Sequence, residues 1–219
     1  MPTLYGVCRS RASRNLWLAG EMEIEFDHIP VIQAYRLSDP QSADAPFNTA
    51  SPAFLVINPA GAIPVLVDGG LVLSESLAIN LYLARKYGGP LAPADAAENA
   101  LMEQWALYGA TSVEPYALAI LYAYAEGRST SEAGEVEIAA QVEKLQRPLR
   151  VLDRHLTRHD YFVGDRFSVA DINMAEIVRY GQAHAPLIAA FPAVTAWLKV
   201  CQSRPAFQEM WTRRNAEPA

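Results

Sequence analysis

Residues 57–87 read INPAGAIPVLVDGGLVLSESLAINLYLARKY, and this stretch decides the fold of the first part of the chain. It contains two short apolar runs, Pro64 to Asp68 and Leu71 to Leu73, with Gly69 and Gly70 between them. Two consecutive glycines supply the positive φ that a two-residue turn needs, so the pattern predicts an antiparallel hairpin. The apolar residues that follow predict a helix, which begins at Ser74-Glu75-Ser76 and ends at a second glycine pair.

The hairpin begins at the Ile63-Pro64 bond. Proline lacks an N–H, so it belongs at the start of a strand, where a cis bond is also accessible. We expect the backbone of Ile63 to face outward and to pair with an extended peptide. The helix start at Glu75 and Ser76 offers free N–H groups to an anion, and the Glu75 carboxylate suits an ammonium group. The stretch therefore predicts a binding edge for a small peptide that carries an amino-acid head group.

Composition excludes several classes of function. The chain has 219 residues, is 51% hydrophobic and carries a formal net charge of -6, which argues against non-specific binding to nucleic acid or anionic membranes. No apolar run approaches the ~20 residues of a membrane span, and the N-terminus lacks the apolar region of a signal peptide. Cys8 and Cys201 lie far apart, which predicts neither a disulfide framework nor a metal site. We expect a cytoplasmic protein.

Two patterns of secondary structure divide the chain. Residues 1–87 alternate strands and helices in the order βαβαββα, with a short helix from Pro52 to Asn58, which predicts an α+β domain. Residues 88–97, GGPLAPADAA, form a linker. From residue 98 to 219 only helical periodicity is present, which predicts an all-α bundle.

This ordered set of features resembles the cytosolic glutathione transferase family over the whole chain. In that family a thioredoxin-like domain precedes an all-α domain, together called the GST fold. The box from Ser168 to Asp171 supports the resemblance, because relatives carry S/T-x-x-D in the helical domain as a folding element. The run from Arg9 to Leu18, R-S-x-x-S-x-x-L-x-L, resembles the serine-type branch, as in the phi and zeta classes. We expect a bacterial-type member.

The resemblance implies glutathione as co-substrate, no metal, and a homodimer. It assigns Ile63 and Pro64 to the cysteinyl backbone of glutathione, and Glu75 and Ser76 to its γ-glutamyl end. It assigns Ser10 to the activation of the glutathione thiol as a thiolate, which then attacks a hydrophobic electrophile. The family alternatives are an isomerase or dehalogenase, a thiol reductase, and a non-catalytic binder of glutathione or hydrophobic ligands.

Three other residues compete with Ser10 as the activating group. Tyr5 is considered because other branches use a tyrosine near the end of the first strand. Ser13 lies one helical turn after Ser10, on the same face. Cys8 would make the protein a thiol reductase, although its position is two or three residues before that of cysteine-type relatives. The alternative that Ser10 only caps the helix also remains open.

The resemblance also implies an electrophile pocket between the domains, and here one departure from the family stands out. The first long helix carries one polar and aromatic stripe, and a late tryptophan is expected to close over it: Trp105, Tyr108, Ser112, Pro115, Tyr116 and Trp211. Such a stripe is also typical of a helix core. Ala62 replaces the Lys or Gln with which relatives often hold the glycyl carboxylate. Gln33, Arg36 and Asn48 are the candidate substitutes.

Overall fold

Residues 1–217 are described by the computed structural model, and their packing divides them into two units. The first unit contains residues 1–87 together with the residues from 205 on. The second unit contains residues 88–204. The sequence analysis assigned residues 98–219 to a single all-α domain, so the last helix belongs to a different unit from the one that its helical pattern suggested.

A four-stranded mixed sheet forms the centre of the first unit. Its strands are β1 Thr3–Tyr5, β2 Asp27–Ile29, β3 Val65–Asp68 and β4 Leu71–Ser74. The order across the sheet is β2-β1-β3-β4, in which β1 is parallel to β2 and antiparallel to β3. The β3–β4 hairpin predicted from the sequence is confirmed, and Gly69 in its turn has a φ of 62°.

Three α-helices and one 3-10 turn lie between or after these strands in the chain: α1 Ala12–Met22, the 3-10 turn Ala34–Arg36, α2 Pro52–Ile57 and α3 Ser76–Tyr87. The apolar side of β3 is covered by Phe54 from α2, which is fully buried against Val31 and Val65. The order βαβαββα therefore agrees with the sequence prediction.

The last helix, α10 Pro205–Ala216, packs against α1. The rings of Trp17 and Phe207 meet edge to face with centroids 4.9 Å apart. A Cβ on Gly20 would lie 3.1 Å from the Cβ of Ala206, so the two helices approach closely. Phe207 and Met210 are buried there, because α1 offers an apolar surface that the sheet does not cover.

Six α-helices lie within residues 88–204: α4 Ala96–Tyr108, α5 Glu114–Ala125, α6 Glu132–Leu156, α7 Val169–Val178, α8 Ala185–Ala189 and α9 Pro192–Gln202, with a π-helical segment at Gly109–Val113 between α4 and α5. Within residues 1–217 no helix has both the length and the apolar character needed to span a bilayer.

The first long helix that the sequence analysis expected is interrupted by the π-helical segment and is divided into α4 and α5. Pro115 is in the first turn of α5, where its missing N–H is tolerated. Gly109 faces α7 so closely that a Cβ would lie 2.7 Å from Cδ1 of Ile177. The change of helical geometry therefore follows from Pro115 and from close helix packing at Gly109.

The predicted capping box at the start of α7 is confirmed. The backbone N–H of Ser168 donates to Oδ2 of Asp171 at 3.0 Å, and Phe162 N and Trp197 Nε1 donate to its Oδ1 at 3.1 and 3.0 Å. Asp171 is fully buried. Burial raises its pKa to about 6, against the lowering by these donors. This one carboxylate ties three segments of the second unit together.

We expect Asp171→Asn to lower the free energy of unfolding by about 1 to 3 kcal/mol, because its amide nitrogen would face the Ser168 N–H instead of accepting from it. The pKa of Asp171 is higher in the folded chain than the ordinary value of 3.8. Its contribution to stability is therefore complete below about pH 4 and is lost as the pH rises through about 6. Urea unfolding followed by tryptophan fluorescence would measure both effects.

The matched control is Asp160→Asn, which alters an exposed aspartate of the loop that precedes α7. An unfolding free energy of Asp171→Asn that equals that of Asp160→Asn at every pH between 4 and 7 would contradict the assignment.

Candidate functional site

The loop between β1 and α1 lies directly against the start of β3. Gly6, with a φ of 151°, takes a conformation that side chains rarely adopt. A Cβ at this position would be 2.8 Å from the Cβ of Ala12, and 3.7 Å from both the Cβ of Ile63 and the Cα of Pro64. The absence of a side chain at Gly6 therefore allows Ala12 to pack against the loop, and the same loop lies in ordinary contact distance of Ile63 and Pro64.

Ile63-Pro64 is a cis peptide bond, as the sequence analysis allowed. Pro64 is buried and Ile63 is half-buried against the core formed around Phe54. The two residues thus lie beside the β1–α1 loop, at the start of the strand that pairs with β1. The peptide-binding edge itself stays a prediction.

Ser10 lies in that loop, two residues before α1, and its side chain is half-buried. Its hydroxyl donates to the carbonyl oxygen of Val7 at 2.7 Å, while its Oγ accepts from the backbone N–H of Ala12 at 3.0 Å. Part of its role is thus to cap the first turn of α1. The N–H of Ala12 also polarises the hydroxyl and makes it a stronger donor.

The helix start at Ser76 is connected to α1 by a buried polar network. Arg14 Nη1 donates to Ser76 Oγ at 3.1 Å, and Asn15 Nδ2 donates to Ser76 O at 2.9 Å and to Asn80 Oδ1 at 2.7 Å. Asn80 Nδ2 returns a hydrogen bond to Arg14 O at 3.1 Å. These four side chains are at most 3% exposed. A guanidinium charge therefore lies under the N-terminus of α3.

Glu75 precedes this helix and is exposed. Its φ of 69° is unusual for a residue with a side chain. Its carbonyl oxygen accepts from Ile79 N at 2.9 Å, so Glu75 already belongs to the helical hydrogen-bond pattern. Strained backbone at a helix start is found more often at binding sites than elsewhere.

Sequence reasoning missed Arg14. The pattern R-S-x-x-S-x-x-L-x-L gave no sign that Arg14 is buried, yet this residue is only 1% exposed. Every residue from Ala12 to Ala19 is buried, so α1 shows no polar face that would have identified the buried arginine.

The competing candidates for thiol activation occupy less suitable places. The ring of Tyr5 packs on Phe54 with centroids 6.3 Å apart, within the core. Ser13 is fully buried inside the first turn of α1. Cys8 is 1% exposed, and burial, followed by the charge of Glu217, raises the pKa of its thiol to about 11. A thiol with that pKa is protonated at neutral pH and is a poor nucleophile.

Two of the candidates to replace the missing polar group at Ala62, Gln33 and Asn48, donate hydrogen bonds to the protein backbone. Ala62 is exposed. Asn48 is fully buried, and its amide nitrogen donates to Pro40 O and Pro46 O, which holds the long loop before α2. Gln33 Nε2 donates to Arg9 O at 3.0 Å. Asn48 therefore organises the loop, and Gln33 contacts the segment that carries Ser10.

The residues of the predicted electrophile pocket lie in both units. In the second unit, Trp105 is buried against Tyr108, His155 and Phe162, so it is a core residue. Tyr108 and Ser112 are half-buried, and Lys144 Nζ lies 5.3 Å from the ring centroid of Tyr116. In the first unit, Trp211 stacks on Phe207 at 5.5 Å. The pocket itself stays a prediction.

Acidic, histidine and cysteine side chains do not cluster as metal ligands do. Among residues 1–217 no three of them are grouped closely enough to hold a metal ion. Both cysteines are free and buried.

Two family models match the chain in the order that the fold suggests. The model "Glutathione S-transferase, N-terminal domain" matches residues 10–86, and "Glutathione S-transferase, C-terminal domain" matches residues 99–205. The first match begins at Ser10 and contains the cis bond and the start of α3.

Individual proteins agree with these models. Glutathione S-transferase 3 of Zea mays is 38% identical over 165 residues, which cover 72% of this chain and 74% of the relative. The crystal structure of glutathione transferase F7 from Populus trichocarpa has 28% identity and a TM-score of 0.79, with 98% and 100% of the two chains covered. A structure of glutathione S-transferase I bound with lactoylglutathione has 28% identity and a TM-score of 0.80, with 97% and 99% covered.

The cis bond at Pro64, the start of α3 at Ser76 and the loop of Ser10 thus occur together in a chain whose two halves both match the same family. The chain belongs to the glutathione S-transferase family.

Proposed function

We propose that this glutathione transferase activates the thiol of glutathione through Ser10 and holds the tripeptide with Ile63, Pro64, Glu75 and Ser76. The observation that carries the proposal is that Gly6, in the loop that carries Ser10, lies beside both Ala12 and the Ile63-Pro64 bond. An extended peptide that pairs with the backbone of Ile63 would place its central cysteine beside this loop.

The chemistry requires a thiolate. The thiol gives up its proton to solvent, and the sulfur then donates an electron pair to an electrophilic carbon. In a substitution the leaving group departs with its bonding pair, and in an addition the π pair moves to a neighbouring atom, which takes up a proton from solvent. In the proposed complex the Ser10 hydroxyl turns from Val7 O to the sulfur and donates to it. The Ala12 N–H remains on Oγ, so the hydroxyl stays polarised while it stabilises the negative charge.

The γ-glutamyl end of glutathione carries a carboxylate and an ammonium group. The free N–H groups at the start of α3 and the buried guanidinium of Arg14 under Ser76 favour the carboxylate. The exposed carboxylate of Glu75 favours the ammonium group. Each charged group of the γ-glutamyl end would thus face a group of opposite charge.

Two wider features belong to the same proposal. We propose a homodimer, supported by exposed apolar side chains such as Val72 on the edge strand β4 and Leu107 on α4, which are 52% and 67% exposed. We also propose a cytoplasmic location, with which the two free cysteines are compatible.

We expect Ser10→Ala to raise the pKa of bound glutathione and to slow conjugation by about 10- to 100-fold, because one charge-assisted hydrogen bond accounts for one or two pKa units. Cys8→Ala should leave conjugation nearly unchanged, because the Cys8 thiol is buried and protonated. Titration of the thiolate absorbance in the complex, together with turnover of an aryl halide, would test both variants. Loss of activity in Cys8→Ala alone would instead favour the thiol reductase.

We expect Glu75→Gln to weaken glutathione binding by about ten-fold, since a hydrogen bond to a charged group contributes about 1.5 to 3 kcal/mol. A glutathione analogue without the γ-glutamyl amino group should bind both proteins equally, because it lacks the ammonium group that Glu75 contacts. Calorimetry with both ligands tests this, with Glu25→Gln, an exposed glutamate of the same unit, as control. Equal weakening of both ligands would remove the ammonium contact from the proposal.

We expect light scattering at low micromolar concentration to give about twice the chain mass of 24.0 kDa. Val72→Asp places a charge on the exposed edge strand and should shift the mass toward the monomer. A monomer mass for the unchanged protein would contradict the homodimer.

A further inference from the structure

The last turn of α10 and the residue after it bind the loop that precedes Ser10. Cys8 N and Arg9 N each donate to the carboxylate of Glu217, to Oε1 and Oε2 respectively, both at 2.7 Å. One carboxylate therefore accepts two adjacent backbone N–H groups in the bidentate arrangement typical of strong, charge-assisted hydrogen bonds.

Arg214 completes this contact from the same helix. Its Nη1 donates to Cys8 O at 2.5 Å, and Arg9 Nε donates to Arg214 O at 3.1 Å. We call Arg214 and Glu217 the C-terminal clamp. Together they bind the backbone N–H groups of Cys8 and Arg9 and the carbonyl oxygen of Cys8. The loop has no strand or helix partners of its own at these positions, so its conformation depends on such contacts.

Arg213, the preceding residue, reaches the loop through a histidine. Arg213 Nη2 lies 3.4 Å from His28 Nδ1, and His28 Nε2 lies 2.9 Å from Gly6 O. The acceptor role of Nδ1 toward the guanidinium fixes the proton on Nε2, which then donates to Gly6 O. Loop residues 6, 8 and 9 are thus all held from the side of α10.

We propose that Glu217, together with Arg214, is a positioning residue that sets the orientation of the thiol-activating Ser10. The inference rests on the proposed function of Ser10. Ser10 follows Arg9 directly in the chain, and its hydroxyl is bonded to Val7 O within the same loop. A shift of the backbone at residues 8 and 9 therefore moves the Ser10 hydroxyl relative to the sulfur that it activates, without removing any group that binds glutathione.

The test compares three changes on the same segment. Glu217→Gln replaces one acceptor oxygen by a donor that opposes a backbone N–H, Glu217→Ala removes both acceptors, and Glu217→Asp retains the charge for a partial rescue. Glu209→Gln is the matched control, because Glu209 is an exposed glutamate of α10, the helix that precedes Glu217.

We expect Glu217→Gln and Glu217→Ala to lower kcat by about ten-fold, since a small misplacement of a catalytic group is costly, while the affinity for glutathione changes less than two-fold. The pKa of bound glutathione should rise in both variants. Glu217→Asp should recover part of kcat, and Glu209→Gln should match the unchanged protein. Equal kcat in Glu217→Ala and Glu209→Gln would overturn the proposal, as would a loss confined to glutathione affinity.

Two measurements without turnover separate this inference from the proposed function. Hydrogen exchange at the amides of Cys8 and Arg9 should accelerate in Glu217→Ala, and alkylation of Cys8, which is 1% exposed, should become faster. Unchanged exchange and alkylation would overturn the clamp even in an active enzyme. Faster exchange in a protein whose Ser10→Ala variant conjugates normally would instead refute the role of Ser10, and with it the positioning role of Glu217.

Discussion

The absence of a side chain at Gly6 is the constraint on which the site depends. A single methyl group there would lie 2.8 Å from the Cβ of Ala12, so the start of α1 would have to move, whereas its distances of 3.7 Å to Ile63 and Pro64 are ordinary contacts. The φ of 151° adds a conformational reason for glycine. The packing of Ala12 against the loop that carries Ser10 therefore depends on one position in the chain, and this position also lies beside Ile63 and Pro64.

A second requirement is electrostatic. Arg14 is almost fully buried, and a buried guanidinium is tolerated only where polar groups surround it. Ser76 and the amide side chains of Asn15 and Asn80 supply such groups and join α1 to α3. The same hydrogen bonds orient the start of α3. They offset the free-energy cost of burying the guanidinium, and the positive charge lies where the proposed anionic ligand would be attracted to it.

Local chemistry explains which parts of the fold could be predicted. The turn at Gly69 and Gly70, the strand that starts at Pro64 and the box of Ser168 and Asp171 all depend on residues close in sequence, and each was recognised. The burial of Arg14 and the packing of α10 on α1 depend on partners more than sixty residues away. Periodicity gives the presence of a helix but does not identify the surface that covers it.

The candidate site shows the same limit. The residue types and their order predicted Ser10, Glu75 and Ser76, because each follows a recognisable turn or helix start. The direction of the Ser10 hydroxyl toward Val7 O and the carboxylate of Glu217 on the loop were not predictable, since both depend on backbone geometry and on a contact across 209 residues of sequence.

The packing of α10 on α1 makes the first unit discontinuous in the chain. During synthesis the residues up to 87 emerge first, yet the helix that covers Trp17 emerges only after the whole second unit has been made. The apolar surface of α1 is therefore exposed for the time needed to translate residues 88–204, and the first unit is completed last although it begins first. Vectorial synthesis thus gives the second unit the opportunity to fold before the site-bearing unit closes.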